Sequence, residues 1–368
     1  MISALEELDS PHKNLSNVIH IAGTNGKGST VAFLNSLIRS AGFKTNVFTS
    51  PHLINETERI VINGQQITND DLQQNILELS RFKLNYFEIL TLCAFQKFAK
   101  SSAEYTLLEC GLGGRLDPTN LAPSMCSVIT NIGLDHMYEL GNSIEEITIE
   151  KCGIIRKGMP VFTPANQDKR ALEIIQKVCK SKNSNLIIAP PYMGKISLTG
   201  DYQQYNAGLA TAVAAYLNIN FKEDALAKTT HKGRMESITS GSLFKLLPPE
   251  TKLLIDCVHN LQGIEALLRN INRDIPTAYV MCMKNDSQFK EIFDLFNPRE
   301  AIYFTKLTEK NPRYQIPDIY ANYPNIRISN SLKESLSEIN ENIKQVVICG
   351  SIYLVGEFLK KNKKPSFQ

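Results

Sequence analysis

Residues 18–30 constrain this chain more than any other stretch. A short apolar strand, Val18 to Ala22, runs into Gly23-Thr24-Asn25-Gly26-Lys27-Gly28, and a helix opens with Ser29 and Thr30. Glycines at 23, 26 and 28 let the backbone curl so that its N–H groups point inward. Lys27 adds a mobile positive charge, and the helix aims its N-terminus at the same point. Together these devices favour a polyphosphate. The general phosphate-loop pattern places Ser or Thr directly after the Lys, whereas here Gly28 intervenes and the hydroxyls come from Ser29 and Thr30.

A strand, turn and helix of this kind predicts an α/β fold, and the rest of the chain keeps the rhythm. The helical spacing of Val31 to Ala41 ends at Gly42, and Thr45 to Thr49 is extended. An irregular polar stretch from Ser50 to Arg59 leads to the strand Ile60 to Ile62 and a tight turn at Asn63-Gly64. Helices are predicted over 70–81 and 87–100, then a strand from Tyr105 to Glu109 and a loop from Cys110 to Asp117. The strand Ser127 to Asn131 delivers Gly133-Leu134-Asp135-His136, and Ser143 with Glu146 reads as a capping box for a helix to Arg156. Val161 to Thr163, a helix over 169–180 and Leu186 to Ile188 continue the alternation, so a mostly parallel sheet covered on both faces is expected. Such sheets bind ligands at their carboxyl ends, where the glycine turn, Glu109 and His136 all fall.

Length implies two domains, since 368 residues exceed one ordinary domain. After a long helix from Tyr202 to Leu217 and the polar stretch Lys228 to Gly233, a fresh series of strands and helices begins. Its strands are Leu253 to Asp256, Ala278 to Met281, Ala301 to Phe304 and Val346 to Ile348. The expected division is 1–229, carrying the phosphate loop on a mostly parallel sheet, and 230–368, a smaller α/β domain. The stretch from Asn311-Pro312 to Pro324 reads as loop.

A net charge of only +3 gives no electrostatic case for a nucleic-acid or membrane partner. Lys360-Lys361-Asn362-Lys363-Lys364 reads as a solvated tail. Eight cysteines without any C-x-x-C pair, mostly inside apolar segments, read as buried thiols. With no leader sequence and no apolar run long enough to span a bilayer, the expectation is a cytoplasmic protein.

A polyphosphate at Lys27 calls for a divalent cation to offset its charge, and hard cations take oxygen ligands with, less often, an imidazole. Ser50, Glu109 and His136 are the candidates. Each has a plainer reading: Ser50-Pro51 as a turn, Glu109 as a carboxylate exposed at a strand end, His136 as a core histidine.

At these residues the chain resembles the folylpolyglutamate synthase and dihydrofolate synthase family of the Mur ligase superfamily. The resemblance is carried by Ala22 to Ser29, Thr49-Ser50-Pro51-His52-Leu53, Glu109 to Asp117, Asn131 to His136 and Glu150 to Ile155. It extends through Gly200 to Ala207, Gly233-Arg234-Met235-Glu236, Asp256-Cys257-Val258-His259-Asn260 and Cys349 to Glu357. It implies ATP-driven amide formation: a substrate carboxylate attacks the γ-phosphate, and the amine of L-glutamate captures the acyl phosphate. By this resemblance Gly26, Lys27, Gly28, Ser29, Thr30, Asn206, Arg234 and Asp256 bind ATP. Ser50, Glu109 and His136 bind Mg²⁺, two ions in all, and Lys27, Lys151 and His259 are catalytic. The pterin or carboxylate substrate falls to Arg59, Tyr86, Phe87, Glu88, Leu116, Asp117, Pro118 and Ser351. The partners implied are dihydropteroate or folates, L-glutamate and ATP, taken by a monomer.

The resemblance also makes Lys151 a lysine carboxylated by CO₂, carrying negative charge toward the cations where a free ammonium would repel them. An ordinary surface-reaching lysine is the plainer reading. For Phe87 and Glu88 the alternative is a helix N-terminus with an anchoring ring and a dipole-favoured acid, and for Arg59 a surface ion pair. There are departures from the family pattern. Glu56-Thr57-Glu58-Arg59 lacks the usual Phe, His231-Lys232 replaces Trp-Pro before Gly-Arg, Cys257-Val258 interrupts Asp-Gly-Ala-His, and the run from Met281 to Asp286 strays. A nucleotide-dependent switch or kinase would share the loop but not the second-domain motifs. Another Mur-type amide ligase and a catalytically silent nucleotide-binding relative are the remaining alternatives.

Overall fold

The computed structural model describes residues 1–222, 224–284, 288–308, 314 and 323–362. Asn285-Asp286, most of the stretch from 311 to 324, and Lys363-Lys364 therefore lie outside the described residues. Two compact units emerge, one of residues 1–197 and 201–231, the other of 198–200 and 232–368.

The first unit runs α1 (Ile2–Glu7), β1 (Val18–Ala22), α2 (Lys27–Ser40), β2 (Thr45–Phe48), β3 (Ile60–Ile62), β4 (Gln65–Gln66), α3 (Asn69–Leu79) and α4 (Tyr86–Ala99). It continues with β5 (Tyr105–Glu109), β6 (Cys126–Ile129), α5 (Met137–Leu140), α6 (Ile144–Cys152), β7 (Val161–Pro164), α7 (Lys169–Ser181), β8 (Leu186–Ala189) and α8 (Tyr202–Tyr216). Its sheet has the order β4-β3-β2-β5-β1-β6-β7-β8. The six strands from β2 to β8 in that order pair in parallel, and the two pairings at one edge, β2–β3 and β3–β4, are antiparallel. All five residues of β1 are buried. Successive side chains of a strand point to opposite faces, so the sheet is covered on both.

One apolar cluster packs Phe95 and Phe98 of α4 and Leu72 and Leu79 of α3 against Phe48 and Leu108 of the sheet. Another packs Ile147 of α6 and Ile175 of α7 against Ile129 and Val161. The hairpin turn is as the sequence demands, with Asn63 and Gly64 both at positive φ, 52° and 85°. All eight cysteines are buried free thiols.

The second unit runs β9 (Glu236–Ile238), β10 (Lys252–Ile255), α9 (Leu261–Asn270), β11 (Thr277–Met281), α10 (Phe289–Phe293), β12 (Ala301–Thr305), β13 (Ile326–Ser329), α11 (Leu332–Ser337), β14 (Gln345–Cys349) and α12 (Ile352–Lys361). Its sheet order is β13-β12-β11-β14-β10-β9, parallel except for β9.

The structure corrects the sequence reading at several points. The helix expected to reach Arg156 stops at Cys152, with Gly153 as its cap, packed against Arg115, whose Cα a Cβ there would meet at 2.3 Å. Its capping box is only half formed: Ser143 accepts from Glu146 N–H at 3.2 Å, but the Glu146 carboxylate accepts from Asn142 N–H at 2.7 Å rather than from Ser143 N–H. The edge strands β9 and β13 were not expected at all. Both are short and partly exposed, so they lack the continuous apolar run that marks a buried parallel strand.

Candidate active site at the carboxyl ends of the first sheet

Four neighbouring parallel strands end side by side, and each delivers one expected group. Ser50 follows β2, Glu109 ends β5, the glycine loop follows β1, and His136 lies seven residues past the end of β6. At about 4.8 Å between strands, the four ends span roughly 15 Å.

The loop is braced before it meets any ligand. Thr24 and Asn25 N–H both donate to Asn131 O, at 2.9 and 3.2 Å, and the Thr24 hydroxyl donates to Gly133 O at 3.1 Å. Gly26 forms the helix cap at φ 91°. A Cβ there would lie 2.3 Å from Asn206 Oδ1, and Asn206 is held in turn, its amide donating to Gln203 Oε1 at 2.9 Å. Gln203 Nε2 donates to Ser29 Oγ at 3.3 Å, so α8 fixes the loop through three expected residues. Gly26→Ala should therefore lower stability by about 1–3 kcal/mol and impair turnover. A thermal midpoint and rate equal to wild type would show that the loop adapts.

Two lysines converge on one carbonyl. Lys27 Nζ donates to Gly23 O at 3.0 Å and to Thr24 O at 3.2 Å, while Lys151 Nζ, reaching in from α6, donates to the same Gly23 O at 2.8 Å. Lys151 is only 5% exposed. Burial first, then the nearby Lys27 charge, pull its amine down to about 7. Buried and neutralisable, it does not behave as a surface-reaching lysine.

Glu109 is buried, and its Oε2 accepts from Ser50 N–H at 3.3 Å. The Ser50 hydroxyl is buried without a hydrogen-bond partner, as is that of Thr30. His136 takes a left-handed backbone, φ 52°, at the start of α5, with Asp135 and Glu139 carboxylates each 3.9 Å from its ring. Among the described residues no three His, Cys, Asp or Glu side chains form a metal cluster by themselves. An unpartnered hydroxyl beside a buried carboxylate still suits Mg²⁺, which takes one or two carboxylates and completes its shell with phosphate and water.

The residues expected to meet the substrate divide. Tyr86 is half exposed, its hydroxyl bonded to Glu56, and Phe87 packs over Gly111, where a Cβ would meet its ring at 2.5 Å. Leu116 is 77% exposed, Pro118 opens a short 3-10 turn, and Arg59 Nε donates to His52 Nδ1 at 3.0 Å. Both carboxylates bond to nearby backbone. Glu88 closes a capping box with Asn85, accepting from its N–H at 2.9 Å, which is the helix-terminus reading.

Asp117 accepts from Gly111, Leu112 and Thr119 N–H at 2.8–3.0 Å and from the Thr119 hydroxyl at 2.5 Å. Four bonds fill a carboxylate's capacity, so Asp117 shapes the loop. Beneath it lies His20, which the sequence reading passed over: its Nε2 is 2.8 Å from Thr119 Oγ1 and 3.1 Å from Cys110 Sγ. Complete burial holds this imidazole neutral, with its pKa lowered to about 3. A histidine inside an otherwise apolar strand was the available signal.

In the second unit three motifs meet at the ends of β10 and β14. Asp256 accepts from Met235 N–H at 2.9 Å and Val258 N–H at 3.0 Å, and Cys257 N–H donates to Gly233 O, which ties the loop carrying Arg234 to that strand end. Gly350 N–H donates to Val258 O at 2.8 Å, and Ser351 caps α12. His259 Nδ1 lies 3.0 Å from Cys257 O.

The Mur ligase middle domain matches residues 21–190. Dihydrofolate synthetase of Saccharomyces cerevisiae is 30% identical, covering 97% of this chain and 95% of its own. Dihydrofolate synthase/folylpolyglutamate synthase of Bacillus subtilis is 30% identical over 99% of this chain and 94% of its own. A bifunctional folylpolyglutamate synthase/dihydrofolate synthase solved with Mn, AMPPNP and L-glutamate bound superposes with a TM-score of 0.84 at 25% identity, covering 97% of this chain and 92% of that one. Similarity at this level over nearly the whole length, with the phosphate loop and the strand-end groups in place, means that the chain belongs to the dihydrofolate synthase/folylpolyglutamate synthase family of ligases.

Proposed function

We propose that this chain joins L-glutamate to the carboxylate of dihydropteroate or of a folate, driven by ATP, through an acyl phosphate. The observation that carries the reading is the convergence of Lys27 and buried Lys151 on the Gly23 carbonyl beside the paired Ser50 and Glu109. In the first step a carboxylate oxygen attacks the γ-phosphorus and ADP leaves. In the second the glutamate amine attacks the acyl carbon, phosphate leaves, and the amide keeps the acyl group.

Phosphoryl transfer asks mainly for positioning and charge neutralisation. Lys27 supplies a charge already poised over the loop, and the N–H groups of Gly28 and Ser29, in the first turn of α2, are left to face the phosphates from the helix N-terminus. Two Mg²⁺ ions, assigned to Ser50, Glu109 and His136, would offset the charge that builds on the phosphates. The Lys151 amine, neutral above about pH 7, can add to CO₂ and release a proton, leaving an N-carboxylate. That converts a buried repulsion of Lys27 and the cations into an attraction. Tyr86, Phe87, Leu116 and Pro118 offer ring and apolar surface to a pterin, and Arg59 a guanidinium to a carboxylate. Arg234, Asp256 and Asn206 are assigned to ATP, Ser351 to a substrate carboxylate and His259 to catalysis on the family resemblance. Work in the cytosol, as a monomer, is likewise assigned on the family resemblance; among the described residues no helix is long and apolar enough to cross a membrane.

Purified protein with ATP, Mg²⁺, L-glutamate and each pterin acceptor in turn, read by product mass, tests this. The expected result is an acceptor heavier by one glutamyl residue and phosphate release that requires both glutamate and acceptor. Phosphate release with no glutamylated product from any pteroate or folate would overturn the reading.

A further inference from the structure

The loop lacks the hydroxyl that a general phosphate loop places directly after its lysine to hold the cation. Gly28 stands there instead, and the structure shows what fills the gap. The point a Cβ would occupy on Gly28 lies 3.0 Å from His231 Nε2, 3.1 Å from its Cε1 and 3.8 Å from Glu109 Oε2. An imidazole nitrogen and a buried carboxylate thus converge on one point beside the first turn of α2. Glu109 Oε2 also accepts from Ser50 N–H, whose residue carries the unpartnered buried hydroxyl.

His231 is delivered there by a strap. Lys222 and residues 224–231 lie along α2, fastened by Lys222 N–H donating to Ser40 Oγ at 3.0 Å and by Ser36 Oγ donating to Ala225 O at 2.8 Å. Thr229 Oγ1 bonds Ala225 O at 3.1 Å, and Ser197 Oγ donates to Thr229 O. Three independent anchors hold the segment whose last residue meets the loop. A larger residue at 28 would collide with the ring, so Gly28 and His231 are matched.

We propose that His231 gives a nitrogen ligand to the divalent cation held by Ser50 and Glu109, in the place the missing loop hydroxyl leaves open. This rests on the cation reading above. Its consequence is metal preference: oxygen donors alone suit Mg²⁺, whereas an added imidazole favours the later divalent transition ions. This chain should therefore hold Co²⁺ more tightly than Mg²⁺ by a wider margin than an all-oxygen site would.

The test uses the full chain, grown with ¹⁵N-histidine, carrying Mn²⁺ and the methylene ATP analogue, whose phosphate bridge contains no nitrogen. Pulsed EPR should show a directly bound histidine ¹⁵N coupling that is kept in His136→Gln and lost when His231→Gln is added to that variant. By calorimetry, the ratio of Co²⁺ to Mg²⁺ affinity should fall about tenfold in His231→Gln. No coupling in His136→Gln despite bound Mn²⁺ overturns the assignment without the help of the His231 substitution, and a coupling that persists in the variant carrying both substitutions does the same. Failure of the wild-type chain to bind Mn²⁺ with nucleotide overturns the cation reading itself, and the assignment with it.

Discussion

Lys151→Ala should remain folded and lose activity by on the order of 10²-fold or more, with partial recovery in acetate. The amine sits buried against Gly23 O with Lys27 nearby, and its pKa falls from 10.5 to about 7. A folded value below the unfolded one means that the charged form opposes folding. The penalty is full below about pH 7 and fades as pH rises toward 10.5, where both states are neutral. For the free amine at neutral pH it amounts to roughly 4 kcal/mol, so in CO₂-depleted buffer Lys151→Met, which keeps the side-chain volume, should unfold at a higher temperature than wild type while being inactive. A short carboxylic acid entering the Lys151→Ala vacancy restores the negative charge without the tether. Labelling with ¹³CO₂ should mark this side chain in wild type, more fully above pH 7 than below. Full activity of Lys151→Ala in CO₂-depleted buffer would remove the carbamate from the mechanism.

Lys27→Ala should cost at least about 10² in rate, through loss of a preorganised charge at the transferring phosphate. Its ammonium is already held over the loop by Gly23 O and Thr24 O, so no reorganisation is needed when phosphates arrive. Arginine should not restore the rate, because a planar fork cannot occupy a point-charge site between two carbonyls. A second effect follows from the shared carbonyl. Lys27 charge helps to depress Lys151, so removing it should raise the Lys151 pKa and shift CO₂ labelling to higher pH. The two substitutions together should then cost less than the sum of their separate effects. Near-normal turnover of Lys27→Ala would take the loop out of the reaction, and an unmoved labelling profile would deny the coupling.

Local signals in the sequence were enough for much of this protein. Asn63-Gly64 specifies its hairpin turn, and the run from Val18 to Lys27 can be little other than a strand entering a glycine loop, because these conformations depend on residues a few positions apart. The alternation of strands and helices then places Ser50, the loop, Glu109 and His136 at strand ends, whatever the order of the strands. That order is what the tertiary structure decided. Only the pairing of β2 with β5, β5 with β1 and β1 with β6 sets those four ends side by side. Burial was decided there too: the sequence around Lys151 admits both a solvated lysine and a buried one, and the contact with Gly23, 128 positions away, selects the second. The same holds for Asp117, whose carboxylate looked free until the N–H groups of its loop and the Thr119 hydroxyl were seen to fill it, for Glu88, one of whose oxygens closes its own helix terminus, and for His231, which meets Gly28 only because its strap is tied to α2. Charge, hydrogen-bonding capacity and exposure are properties of surroundings, and distant segments supply the surroundings.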